Sequence, residues 1–226
     1  MAAAWWQQQL LGGLAVGGWL TLLSLSALVV RHRWPEQREW SRKLVHIGTG
    51  AVVLIAWALG IDRLIAVPAA AAVTLLAALN HRVRVLPAIE DVDRHSYGTI
   101  AYGASITLLL ALWWPEHRAA VAAGVFVMAL GDGLAGLVGP LIPSPSWSVL
   151  GQRRSVVGTA TMALASLAVL LLLAAFTGGG DAPPSTQAIV AITTIAVLLE
   201  QIANGGIDNL SVPITVAALW RWLAQA

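Results

Sequence analysis

Asp132 is a lone carboxylate in an apolar run long enough to enter a bilayer, within the stretch LGDGLAGLVGPLIPSPSWSVLGQRRSVVGT (Leu130–Thr159). An ionisable residue at membrane depth is costly and by default marks a functional site. Ala135, Gly136 and Gly139 follow at offsets three, four and seven, hence on one helical face. Small residues there suit either close ligand approach or a helix–helix seam. A Pro/Ser/Trp loop then leads to Arg153 and Arg154, which adjoin Ser155, Gly158 and Thr159 at the start of the next apolar block. Any such arginine pair can anchor a membrane boundary. Cations beside hydroxyls and backbone N–H groups at a helix N-terminus also bind phosphate readily. An acid followed by these groups suits a metal-bound polyphosphate.

Two further groups carry polar chemistry. Lys43 and Arg42 lie three and four residues from His46, so both cations share the imidazole's side of a helix. They read either as charge for a phosphate or as snorkelling boundary cations. Glu200, Asn204, Asp208 and Asn209 flank Gly205-Gly206 in an apolar region. Two acids at a broken helix junction suit a polar cavity, since irregular backbone at membrane depth is tolerated where it lines one. Asp91 and Asp93, beside Arg94 and His95, read as solvated charged surface, and His32, His81 and His117 show no ligand spacing. No HExxH, Walker A, GxSxG or GxGxxG motif occurs in a fitting context. The chain has no cysteine, which excludes disulfides and thiolate chemistry.

The elements that must position these residues are apolar helices. The chain is 58% hydrophobic and 11% charged, with mean hydropathy +0.77, where a soluble domain carries roughly a quarter charged residues. Its apolar blocks approach the ~20 residues that cross hydrocarbon, and they lack the short alternation of a membrane β-barrel. The composition predicts an all-α, polytopic integral membrane protein of about 7–8 transmembrane helices with no soluble domain. The predicted spans are Leu10–Val30, Leu44–Gly60, Leu64–Leu79, Thr99–Trp114, Ala119–Ile142, Ser155–Phe176, Gln187–Ile202 and Leu210–Leu223. Asp132 falls about midway along the fifth, where a break at Gly131 or Gly133 would bring it nearer one face. The first run follows no basic region and is too long for a signal peptide, so it reads as a retained span with Trp5 and Trp6 at the interface. The segment RHRWPEQREWSRK after it reads as an interfacial helix. Residues 1–226 then form one membrane-embedded domain, with 1–40 an N-terminal span plus basic segment and 41–226 the core.

Ten of the 13 Lys and Arg residues fall after spans one, three and five; Arg63, Arg118 and Arg221 fall on the opposite side. By the positive-inside rule the ten-cation face is cytoplasmic. Lys43, His46, Arg153, Arg154, Glu200 and Asp208 lie at that face, within reach of a soluble nucleotide. A net charge of +2 is too small to argue for nucleic acid.

With these residues in this order, the sequence resembles the integral-membrane phytol, dolichol and diacylglycerol kinases, relatives of the CDP-diacylglycerol synthases. Asp132, Ala135 and Gly139 match the family's DxxAxxxG. Arg153, Arg154, Ser155 and Gly158 match its basic pair, Ser/Thr, one residue, Glu, Gly. RKLVHIGTG (Arg42–Gly50) resembles its Arg-Lys-x-x-His segment, and DNLSVP (Asp208–Pro213) its Asp-Asn-Leu-Thr-Val-Pro segment. The resemblance runs from about residue 40 to the end. Arginine replaces lysine in the basic pair, which keeps charge and changes geometry. Val157 stands where dolichol kinases and cytidylyltransferases carry Glu; that residue and Gly131-Asp132-Gly133 resemble the phytol-kinase branch.

The resemblance implies a CTP-dependent lipid kinase that converts an isoprenoid alcohol, phytol foremost, to its monophosphate. It implies Mg²⁺ on Asp132 with Asp208 or Glu200. Arg153 and Arg154 would clamp phosphate, with Ser155, Gly158, Ala135 and Gly139 around the nucleotide. Lys43 and His46 would offset charge, and Glu200, Asp208 and His46 are the candidate bases. The isoprenoid tail would reach the site laterally from the lipid bilayer. The alternatives are a phosphatidate or prenyl-phosphate cytidylyltransferase and a small ion-coupled transporter; the arginine cradle and the lack of an internal repeat count against transport.

Overall fold

The apolar run Arg118–Val138 is the most buried of the long apolar helices among the described residues: Val121, Ala122, Ala123, Val125, Val127, Met128 and Ala129 are completely buried. A helix that is apolar all round belongs in a core, and the helices Arg38–Ala58, Gly98–Trp113, Val156–Phe176 and Asp208–Leu223 pack against this one. The computed structural model describes residues 2–83, 97–177 and 182–225. In chain order these form α1 (Ala2–Arg33), α2 (Arg38–Ala58), α3 (Arg63–Val83), α4 (Gly98–Trp113), α5 (Arg118–Phe126), a π-helical stretch (Val127–Asp132) and α6 (Gly133–Val138). A hairpin, β1 (Ser146–Val149) and β2 (Gln152–Ser155), precedes α7 (Val156–Phe176), α8 (Thr186–Ile202) and α9 (Asp208–Leu223).

Among the described residues four helical runs are long and apolar enough to cross a membrane: Ala2–Arg33, Arg63–Val83, Arg118–Val138 and Val156–Phe176; α4 and α8 are apolar but shorter. The protein is an all-α integral membrane protein, and a helix occupies each of the eight predicted spans. The outer helices show why burial is not the driving force. Leu10, Leu11 and Leu14 of α1 and Leu64, Leu75 and Leu76 of α3 are more than 60% exposed, as expected where lipid, not water, is the solvent. Small residues set the close approaches. A Cβ on Gly124 of α5 would collide with the Pro213 carbonyl of α9.

Three features differ from the sequence-based expectation. The segment 31–43 is not a separate interfacial helix: α1 runs to Arg33 and α2 starts at Arg38, so the basic residues cap two spans. The helix bearing Asp132 does not break. It widens into the π-helical stretch, a device frequent at functional sites, and continues as α6. The presumed Pro/Ser/Trp loop contains an antiparallel hairpin with register Trp147↔Arg154 and Ser148↔Arg153. Its two turn residues, Leu150 and Gly151, have φ of 47° and 79°, the left-handed pair that two-residue hairpins require. Asp91, Asp93 and Arg94 lie outside the described residues.

The two ends of the bundle are chemically distinct. At one end Arg63 reaches the Trp114 carbonyl and Glu116, Trp114 Nε1 donates to the Ile61 carbonyl at 2.8 Å, and Arg118 lies over Trp57. These contacts tie the α2–α3 turn to the α4–α5 turn. The other end gathers the start of α2, the end of the π stretch with α6, the hairpin, the start of α7, the end of α8 and the start of α9.

Candidate active site

These segments enclose a cavity of about 470 Å³. Lys43, Asp132, Ala135, Gly139, Arg153, Arg154, Ser155, Gly158, Glu200 and Asp208 all line it, so residues up to 165 positions apart in the chain share one space. His46 alone of the predicted site residues does not line it; it sits behind Asp132.

Asp132 is met from α2 by two groups. Lys43 Nζ donates to Asp132 Oδ2 at 2.6 Å and to the Asp132 carbonyl at 3.1 Å. His46 Nε2 stands 3.3 Å from the same Oδ2. The Lys43 and Asp132 side chains are 5% and 15% exposed, so each charge is held by the other, as a buried ion requires. Gly136 is what lets the lysine in. A Cβ there would sit 2.7 Å from Nζ, which accounts for one of the small residues at helical spacing. Gly136→Ala is expected to push Lys43 off Asp132 and lower activity with little change in melting temperature, because only the flexible end of a side chain must move; an unaltered rate would show that the Lys43 position does not matter.

Gly139 and Gly158 are partly a seam. A Cβ on Gly139 would lie 3.1 Å from Gly158 Cα, so α6 and α7 cross there with their backbones nearly in contact.

The two arginines do different things. Arg154 Nη1 pairs with Glu200 Oε1 at 2.5 Å, and its Nη2 donates to the carbonyls of Glu200 and Ala203 at 2.5 and 3.2 Å. It therefore adds a donor to carbonyls at the end of α8, of which the Glu200 carbonyl also accepts from Ala203 N at 3.3 Å. Gln201 Nε2 completes the cluster, donating to Glu200 Oε2 at 2.8 Å and Thr159 Oγ1 at 2.9 Å. The same strap continues through Gln152 Nε2 to Asn204 Oδ1 at 3.0 Å and Asn204 Nδ2 to the Leu150 carbonyl at 3.1 Å. Arg153 is exposed, and its Nε donates to Ser146 Oγ at 3.3 Å. Among the described residues no carboxylate pairs with it.

The amides expected to cradle phosphate at the start of α7 are engaged within the chain. Val156 N donates to the Pro145 carbonyl at 3.0 Å, Val157 N to Ser144 Oγ at 3.3 Å, and Gly158 N to Ser155 Oγ at 3.1 Å. Ser155 is thus the N-cap of α7, and the cationic side chains supply most of the anion attraction.

At the start of α9, Asp208 Oδ1 accepts from Asn209 N and Nδ2, both at 3.0 Å. Gly205 and Gly206, with φ of 66° and 90°, make the turn that returns the chain to the cavity. Sequence reasoning missed Glu39, Gln152 and Gln201 as cavity residues. Gln201 had a signal, a second polar side chain next to Glu200 in an apolar helix; the other two had none.

The donor set fits Mg²⁺. Among the described residues no three acids or histidines come together as a protein-only metal cage. Mg²⁺ does not need one, because it is held by one or two carboxylates with the substrate's phosphates and water. Lys43 and His46 both use Oδ2 of Asp132, which leaves its Oδ1 outside those contacts, and Asp208 faces the same cavity. Four cations, Arg42, Lys43, Arg153 and Arg154, line it with four acids, Glu39, Asp132, Glu200 and Asp208. Such a balance favours an anion that brings its own cation.

No protein-family model matches the chain, and no solved structure matches it. A phytol kinase from Synechocystis sp. is 42% identical to it over 188 residues, which are 81% of this chain and 78% of that protein. With identity of that extent over most of both chains, this protein belongs to the phytol kinase family.

Proposed function

We propose that this protein phosphorylates the hydroxyl of phytol, using CTP as donor and Mg²⁺ as the metal. The observation that carries the reading is the 42% identity to a phytol kinase over most of both chains, and the composition of the cavity supports it. Phosphoryl transfer needs little covalent chemistry from a protein; positioning and charge stabilisation dominate. Asp132 and Asp208 would hold the metal, which neutralises charge on the transferred group. Arg153 draws the phosphates in. Lys43 is positioned by Gly136 to steady Asp132. The hydroxyl oxygen attacks the γ-phosphorus, CDP leaves, and the hydroxyl proton passes to Glu200, a carboxylate of the cavity lining that the metal does not use. Pro140, Ile142 and Pro143 give the cavity one apolar edge, and Ile142 is half exposed there. The isoprenoid tail reaches the site along that edge from the bilayer. The end of the bundle that holds the cavity faces the cytoplasm, where the nucleotide is.

The test is to supply membranes containing the protein with CTP labelled at the γ-phosphate and, separately, phytol, farnesol, dolichol or diacylglycerol. Label is expected in phytyl monophosphate first. Transfer of α-label to lipid would make the protein a cytidylyltransferase, and no lipid phosphate from any alcohol with CTP or ATP would end the kinase reading.

A further inference from the structure

We infer that His46 is a positioning residue: its Nε2–H holds the Asp132 carboxylate in place by bridging it to the Met128 carbonyl, and the imidazole neither touches substrate nor takes a proton from it. The inference rests on the proposed role of Asp132 as metal ligand.

Three observations carry it. His46 Nε2 is 3.1 Å from the Met128 carbonyl and 3.3 Å from Asp132 Oδ2. A carbonyl oxygen can only accept, so this nitrogen carries the hydrogen and serves both oxygens as donor. Met128 lies one turn before Asp132 in the π-helical stretch. Backbone carbonyls point toward the helix C-terminus, which brings this one level with the Asp132 side chain. Finally, His46 is 9% exposed and outside the cavity lining. Its ring lies against Tyr102, centroids 4.5 Å apart and planes 31° from parallel, and Tyr102 is itself buried. The imidazole is walled off behind the carboxylate it contacts.

The three groups divide the work on one side chain. Lys43 supplies the opposite charge that a carboxylate in a buried site requires. His46 supplies direction, tying Oδ2 to a fixed backbone point on the central helix. Asp132 Oδ1 is thereby turned to a constant position. This is how groups behind a metal-binding carboxylate act, and losing one costs about 10–100-fold in metal affinity or activity.

Gln carries an amide N–H at nearly the reach of imidazole Nε2; Phe keeps the ring and loses the donor. In His46→Phe, Mn²⁺ binding read by electron paramagnetic resonance is expected to weaken about 10–100-fold, with the Mg²⁺ requirement for turnover rising in parallel and the KM for alcohol unchanged. His46→Gln should recover most of both. In ¹⁵N-histidine-labelled wild type in micelles, the resonance lost in His46→Gln should show the Nε2–H tautomer. That spectrum does not depend on either variant retaining activity. Equal loss of turnover in Phe and Gln variants with unchanged metal dependence would make His46 a base or substrate contact and overturn the inference, as would the Nδ1–H tautomer. If the metal-binding pattern and tautomer are as stated while wild type makes no lipid phosphate, the positioning role stands and the kinase reading falls.

Discussion

Replacing Asp132 by Asn is expected to lower turnover by about a thousandfold or more. A metal at the transferred phosphoryl group is worth several kcal/mol, and each ~1.4 kcal/mol is tenfold in rate. The structure adds a complication. Lys43, 5% exposed at its side chain, is paired to Asp132 at 2.6 Å, and removing one partner of a buried pair costs about 3–5 kcal/mol because a charge is left uncompensated. Asp132→Asn alone therefore reports metal loss and a stranded lysine together. The double variant Lys43→Met with Asp132→Asn separates them: it should recover much of the lost thermal stability in detergent and none of the activity. Near-normal turnover in either variant would remove Asp132 from the metal site.

Arg153 and Arg154 are adjacent, alike in charge and both at the cavity, yet opposite outcomes are expected for them. Arg154→Met should destabilise the protein by about 3–5 kcal/mol, since its guanidinium holds Glu200 and two carbonyls at the end of α8. Adding Glu200→Met should return most of that loss, because both buried charges then go. Arg153→Met should leave the melting temperature near wild type and raise the KM for nucleotide about tenfold or more, as expected for one charge-assisted hydrogen bond of about 1.5–3 kcal/mol. That effect should shrink at high salt, where exposed charges are screened. Wild-type stability in Arg154→Met together with an unchanged nucleotide KM in Arg153→Met would reverse the division.

Arg154 also explains how the hairpin keeps its place. β1 and β2 are four residues each, and a lone hairpin is marginal. It is the strap from Arg154 to Glu200, and from Leu150 and Gln152 to Asn204, that fixes it against the end of α8. Loss of Arg154 should therefore disturb nucleotide affinity indirectly, through the position of Arg153, and the stability readout distinguishes that route.

The helices were legible in the sequence because a chain in hydrocarbon must satisfy its backbone hydrogen bonds locally. Apolar block length then determines where the spans lie: the predicted Thr99–Trp114 and Ser155–Phe176 differ by one residue at an end or two from Gly98–Trp113 and Val156–Phe176, while α1 and α2 begin before the predicted Leu10 and Leu44, at Ala2 and Arg38. The chemistry of the site was legible for the same reason, since Asp132 and Glu200 stand out wherever charge is expensive. Tertiary structure alone decided which charge meets which. Lys43 and Asp132 are 89 positions apart and Arg154 and Glu200 are 46; their pairing depends on which helices pack together and on Gly136 leaving room for a lysine. The same is true of the hairpin, whose strands are too short to print an alternation, and of the π-helical stretch, which no periodicity announces. It is true above all of His46. In the sequence it stands beside two cations as a third polar group for a phosphate; in the fold its one committed nitrogen faces a carbonyl and a carboxylate, and that makes it a support for Asp132.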